Sequence, residues 1–515
     1  MTFFSPEFVL LFLLFFVIYW AAKNFVSMQK LLILFASYAF ICANSLYFAL
    51  VLFGFTCAVF VCGKYLQEHG KLVRLLEQSQ KFSKDLANNT KNNTKNNTKN
   101  NTKNNSQSAE LISYKNKFAP TSNLALGVII GFCVLFLCFF KYYDFFYGVF
   151  AGFFEFFGLS LFESVAFPLG VSYYTFMSIT YLVAMYRGQC ERCDDFISLA
   201  CFLAFFPSIV MGPISRASDE KGLRALLPQF NEPKNFSCGD EIFTLVIFAC
   251  VKLLVISSLL SPYVNNTFSS VYSSSSSASQ ILLAILLYGV VLYANFSGFI
   301  DMSRALALAL GFELAQNFAM PYAARNIREF WQRWHITLTT FITRYIYIPL
   351  GGSARGFTRT QINVLIAFGL SGIWHGAEWN FLIWGLLHGV GLVIFNAYKA
   401  LALPQLNYYV SLILTYIFVS FAWIFFANDF DNSLVILKGL FAALAAGNFG
   451  SQTALVILLL VGVGLYHKCA GFFGFCVHML SCMPILLKAL VLGLVFSMII
   501  AIMPSGIPSF IYASF

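Results

Sequence analysis

Residues 362–398 read INVLIAFGLSGIWHGAEWNFLIWGLLHGVGLVIFNAY. Two apolar runs, Ile362–Leu370 and Phe381–Leu387, flank a short polar centre, SGIWHGAEWN (371–380). His375 therefore belongs to a membrane element. Trp374 and Gly376 sit beside it and Gly372 just before it, and glycine lets a substrate or a neighbouring helix come close to the backbone. An ionisable group at membrane depth is costly and usually functional. Imidazole is also the side chain best suited to move a proton near neutral pH. From these residues alone His375 reads either as a general base or as a core histidine bonded to a backbone carbonyl. His388, in LLHGVG, lies about 220° further round a continuous helix, so the two rings do not share a face. It either orients the site or is structural.

Working outward, the whole chain has the same character. It has 515 residues, 59% of them hydrophobic and only 10% charged, against roughly 25% in a soluble domain. Phe alone counts 61. Mean hydropathy is +0.75. Lipid must replace water around most of such a chain, so the expected fold class is an all-α polytopic membrane protein. Candidate spans cover 6–22, 29–43, 46–63, 122–140, 143–163, 171–186, 196–214, 241–261, 280–300, 362–376, 380–398, 407–426, 433–447, 452–467 and 484–503. Several are short or polar, which leaves about ten to thirteen full spans plus re-entrant pieces. The first run, Phe8–Trp20, has no charged region before it and no cleavage site after it, and reads as a retained span.

The net charge of +10 is spread over loops and helix ends and is not a nucleic-acid signature. It reports topology. The hydrophilic stretch 64–121 is rich in Lys and Arg and reads as a cytoplasmic loop. Its Asn-Asn-Thr-Lys repeat, 88–106, cannot bury a core and is expected to be disordered. The uncharged Ser-rich stretch 269–279 suits the outside. Thirteen dispersed Cys argue against a disulfide framework, and Cys190 and Cys193 read as two ordinary thiols.

Segment 324–349, ARNIREFWQRWHITLTTFITRYIYIP, mixes aromatics with polar groups. On one continuous helix Arg328, Gln332 and His335 fall at i, i+4 and i+7, with Arg325 beside them. Such a stripe suits a polyanionic ligand next to a proton acceptor. It equally suits an interfacial helix that meets headgroups. No metal signature, Walker A or GxSxG elbow occurs.

Five stretches, in order, resemble the membrane-bound O-acyltransferase (MBOAT) family, and within it the bacterial branch that O-acetylates alginate and peptidoglycan, with teichoic acid D-alanyl transfer more distant. They are PLGVSYYTFMSITYLVAMYRG (168–188), FFPSIVMGPISRASD (205–219), YANFSGFIDMSRALALALGFELAQNFAMPY (293–322), REFWQRWHITLT with YIYIPLGG (328–352), and SGIWHGAEWNFLIWGLLHG (371–389). The resemblance implies an MBOAT fold with re-entrant helices around a funnel-like centre. It implies four parts: N-terminal transmembrane helices (1–63), a cytoplasmic loop (64–121), a catalytic core (122–400) and C-terminal transmembrane helices (401–515). It gives His375 the part of the catalytic histidine and His335 that of the second one. It implies acetyl-CoA as donor, no tightly bound cofactor, and a bacterial inner-membrane location among membrane lipids. It also implies a periplasmic partner of the SGNH esterase type. Arg325, Arg328, Gln332, Trp374, Asn380 and Asp301 are the expected substrate-binding residues. Asn295 replaces the usual Asp, and Thr343-Arg344 the usual Arg-Asp. The competing class is an acyl or lipid transporter, whose mark would be inverted repeats with broken helices. The sequence shows no convincing repeat.

Overall fold

The computed structural model describes residues 3–92, 100–156, 164–190, 195–219, 224–236, 238–271 and 276–504; of 71–121, 151 and 154–156 it describes the backbone alone. Among the described residues there is no strand, and the chain forms two compact units. One comprises 1–210 and 214–234, the other 211–213 and 235–515. The division thus falls inside the 122–400 segment.

In the first unit, α1 (Pro6–Ala21) starts where the Ser5 side chain accepts from the Phe8 N–H and Pro6 fills the first helical position. It is followed by α2 (Val26–Cys42), α3 (Leu46–Asn92), α4 (Asn100–Phe156), α5 (Val171–Arg187), α6 (Phe196–Ala204) and the single turn α7 (Phe206–Ile209). Asp195 caps α6 and takes the ammonium of Lys30 at 2.5 Å, with Ser198 and Asn231 completing the shell. Lys30 is thus held by partners from two other parts of the unit.

Three expectations need correction here. The stretch expected as a loop with a disordered tract is largely helical: α3 reaches Asn92 and α4 begins at Asn100, with 93–99 outside the described residues. Extending an existing helix needs no new nucleation, so an apolar span carries its helix into weak formers. The spans expected separately at 122–140 and 143–163 run as a single helix, α4, as far as Phe156, because nothing at Lys141-Tyr142 breaks it; 157–163 lie outside the described residues. Cys190 is disulfide-bonded rather than an ordinary thiol; Cys193 lies outside the described residues.

In the second unit, α8 (Gly239–Cys250) passes through a π-turn (Val251–Ser257) into α9 (Ser258–Ser270). Then come α10 (Ala278–Ala309), the short helices α11 (Ile327–Arg333) and α12 (Ile336–Ile342), and α13 (Phe357–His375) and α14 (Trp379–Ala400). They are followed by α15 (Tyr408–Ala427), α16 (Phe430–Ala445), α17 (Thr453–Tyr466), α18 (Phe472–Cys482) and α19 (Ile485–Ile502). α10 is the central post, largely buried and packed by α8, α9, α15, α16 and α17. Ion pairs tie its C-terminal part: Lys252–Asp301 at 2.6 Å and Arg304–Glu241 at 3.8 Å.

Seven described helices are long and apolar enough to cross a membrane, or eight if α17 and α18, bent by 55°, form one span. The full spans expected from sequence were more numerous. α1 and α2 fall just short at 16 and 17 residues, and α6 has nine. The large apolar side chains left exposed on α1, α4 and α19, such as Leu14, Leu135 and Leu486, mark the faces that lipid would cover.

Candidate active site

The site builds from a break in the helix that sequence periodicity expects. α11 is capped by Asn326, whose side chain accepts from the Glu329 N–H, and it ends at Arg333. Trp334 is extended (φ −100°, ψ 128°) and His335 adopts the left-handed conformation (φ 43°, ψ 53°). A non-glycine residue there is strained, and such strain gathers at functional sites. The segment 317–319 makes the hydrogen bonds that hold the break. Ala319 N–H donates to the Arg333 carbonyl at 3.0 Å, and Ile336 N–H donates to the Asn317 carbonyl at 2.9 Å. His335 is therefore not on a stripe with Arg328 and Gln332. The i, i+4, i+7 reading fails because α12 is a new helix with a new axis.

His335 is buried, with its ring 4.8 Å from that of Phe296 and Nδ1 3.2 Å from Oδ1 of Asn317. Trp334 next to it packs on Trp423 at 5.0 Å, and Trp423 stacks on Trp384 at 5.5 Å. Trp384 meets His375 edge-on at 5.0 Å. The two expected catalytic histidines thus stand on one continuous aromatic wall. No hydrogen bond joins them among the described contacts.

His375 is the last residue of α13, and its height is set by how closely α13 and α14 cross. A Cβ on Gly372 would lie 2.3 Å from the Phe381 carbonyl oxygen, and one on Gly385 would lie 2.4 Å from that of Phe368. Only glycine fits at this crossing. The ring of His375 is then enclosed by Trp374, Trp384 and Phe426 at 4.6, 5.0 and 5.1 Å. His388 lies one turn beyond Trp384 on α14, fully buried among Trp331, Trp384 and Phe418 at 5.0, 5.1 and 5.9 Å. Neither of its ring nitrogens has a hydrogen-bond partner among the described residues. So Trp384 touches both rings, and the 220° separation expected on one continuous helix does not apply, because His375 ends α13 and His388 lies on α14.

The other expected residues divide. Arg325 is exposed and lies over the Tyr408 ring at 5.8 Å, and Arg328 is exposed and donates to Asn396. Gln332 is exposed. Glu329 collects the Arg325 N–H at 2.9 Å and Arg333 at 2.8 Å. Burial pushes its carboxyl up, but these donors and their charges win and hold it below the usual range. Trp374 forms part of the His375 enclosure. Asn380 is buried, and its Nδ2 donates to the carbonyls of Phe425 and Asn428 at 3.1 Å each, so it ties α14 to the end of α15. Asp301 faces Lys252. Both side chains thus have structural partners, and Oδ1 of Asn380 has none among the described residues.

Two pockets open at opposite ends of α15. One, about 630 Å³, is lined by Arg325, Lys399, Tyr398, Tyr408 and Phe395 and reaches Phe418, the residue that touches His388. The other, about 220 Å³, is lined by Asn265, Ser269, Tyr288, Asn428 and Asn432. It adjoins the α15 end that carries Phe426 against His375. Sequence reasoning missed Lys399, Asn428 and Asn317. Lys399 carried a signal, as the basic end of an apolar helix, whereas the two Asn acquire meaning only through the fold.

Residues 194–427 match the MBOAT, membrane-bound O-acyltransferase, family. The chain is 34% identical over 323 residues to the probable alginate O-acetylase AlgI of Azotobacter vinelandii, covering 62% of each chain. It is 33% identical over 357 residues to the peptidoglycan O-acetyltransferase of Helicobacter pylori, covering 62% of this chain and 64% of that one. Likeness to the teichoic acid D-alanyltransferase of Bacillus subtilis is lower, 23% over 280 residues, with 50% of this chain and 68% of that one covered. The match to the first two spans a little over three-fifths of their length. The residues that match this family model, 194–427, hold His335, His375 and the larger pocket.

Proposed function

We propose that this protein is a membrane O-acetyltransferase that moves an acetyl group from acetyl-CoA to an envelope polysaccharide, with peptidoglycan the favoured acceptor. The observation that carries the reading is the placement of His375: a buried imidazole at the end of α13, on an aromatic wall shared with His335. His375 accepts the proton of an acceptor hydroxyl as the oxygen attacks the thioester carbonyl. The C–S bond then breaks, and the same proton passes from the imidazolium to the departing thiolate. The products are an acetyl ester and free CoA, and the histidine is returned neutral. The aromatic enclosure excludes water, which would otherwise take the acyl group.

The larger pocket is the donor side in this scheme. Arg325 and Lys399 at its mouth suit phosphate oxygens, and Tyr398, Tyr408 and Phe395 suit a ring or a pantetheine arm. By the positive-inside rule this mouth is cytoplasmic. The smaller, amide-lined pocket lies toward the acceptor. The periplasmic SGNH-type partner and the bacterial inner membrane complete the proposal.

Lys399→Ala and Arg325→Ala are expected to raise KM for acetyl-CoA about tenfold each and to leave kcat near wild type, since each removes a charge-assisted contact remote from the reacting atoms. Steady-state release of CoA thiol measures this. A fall in kcat with unchanged KM places the donor elsewhere. Mass spectrometry of muropeptides from a deletion strain tests the acceptor: loss of O-acetylated muropeptides supports peptidoglycan, and an unchanged profile excludes it.

A further inference from the structure

Asn317 is completely buried, and its side-chain oxygen is the meeting point of the helix break. Oδ1 accepts from the Thr337 N–H at 3.0 Å and from the Thr337 hydroxyl at 2.9 Å, and it stands 3.2 Å from Nδ1 of His335. A backbone N–H only donates, so the atom facing it is the amide oxygen and not the amide nitrogen. That oxygen in turn only accepts. Nδ1 of His335 must therefore carry the hydrogen, and Nε2 of the neutral ring keeps its lone pair.

We propose that Asn317 is a positioning residue that fixes His335 in the Nδ1–H tautomer and so makes its Nε2 a hydrogen-bond acceptor. The inference rests on the reading of His335 as part of the acyl-transfer site. It also changes what His335 does there. A neutral ring in this tautomer does not donate from Nε2 to the substrate carbonyl oxygen. It accepts from a hydroxyl or a thiol instead. Two further observations agree. The left-handed backbone of His335 is held by the Asn317 carbonyl through Ile336, so the same residue fixes both the backbone and the ring. The Nδ2 of Asn317 has no partner among the described residues, although it is sealed from solvent. A helix cap needs only an acceptor, so capping α12 does not account for a buried amide.

The test uses the full chain in native membranes, with turnover normalised to membrane protein and read as CoA thiol release against pH. His335→Ala, Asn317→Ala, Asn317→Asp and the His335→Ala/Asn317→Ala pair are compared. Asn317→Ala is expected to lower kcat about 10- to 100-fold with little change in KM, the range seen when an orienting partner is lost. Asn317→Asp keeps the acceptor and retains most of the rate. Its carboxylate favours the imidazolium, so the acid limb of the pH profile moves to higher pH. In the His335→Ala background, removing Asn317 has no further effect. Wild-type kcat in Asn317→Ala beside an impaired His335→Ala overturns the Asn317 assignment alone. An equal loss in Asn317→Ala and Asn317→Asp with an unmoved pH limb, or an added loss in the double variant, shows a structural cap and overturns it too. Full activity of His335→Ala overturns the premise that His335 serves the site.

Discussion

His375→Ala lowers acetyl transfer by about 10² to 10⁴ while the chain remains in the membrane at wild-type level. The factor is what general acid–base work contributes when one residue handles the proton. The ring is buried against Trp374, Trp384 and Phe426, so its removal also leaves a cavity. That cavity costs about 1–3 kcal/mol, which a bundle of this size absorbs. Acetate released by mild base from envelope polysaccharide, measured with membrane protein in parallel, separates the two effects. Wild-type acetylation in this variant removes His375 from the mechanism. A parallel fall of activity and protein makes the residue structural.

Gly385→Val is expected to fail at the other end of the scale, through the fold rather than the chemistry. A Cβ at this position would stand 2.4 Å from the Phe368 carbonyl oxygen and 3.1 Å from the Cα of Gly372. The contact is backbone against backbone, so no side chain can rotate away. Overpacking in a well-packed interior costs about 1–3 kcal/mol even where side chains do give, and here α13 and α14 must separate. Folded protein should fall sharply, and activity per folded molecule should fall as well, because the crossing sets where His375 meets Trp384. Gly474→Val, at a glycine whose Cβ would meet nothing within 4 Å, is the control and should be near neutral. A Gly385→Val protein that accumulates and turns over normally contradicts the account of the crossing.

Much of this was legible in sequence, and for a physical reason. Apolar runs of span length report helices whatever their neighbours, and so α10, α14 and α15 lie close to where the pattern put them. The burial of His375 was legible because it stands between two apolar runs. The break at Trp334–His335 was not. Nothing between Ile327 and Ile342 forbids a continuous helix; what ends it is Asn317, 18 residues earlier, which supplies the hydrogen bonds the next helix needs. Distant partners also hold Asp301, whose partner Lys252 is 49 residues away on a π-turn, and Asn380, which reaches the Phe425 carbonyl on α15 and that of Asn428 just past it. Polar residues in apolar segments announce that they matter. Whether they serve a substrate or a neighbouring helix is decided by partners far off in the chain.

The most direct measurement is turnover by the purified protein in lipid nanodiscs, given acetyl-CoA labelled in the acetyl group, an envelope polysaccharide acceptor and the proposed periplasmic SGNH-type partner. The account predicts release of CoA thiol matched one to one by label in base-labile ester, with both lost together in His375→Ala. Label that crosses the bilayer or stays bound as thioester, with no thiol released, would contradict it and leave a carrier in place of an enzyme.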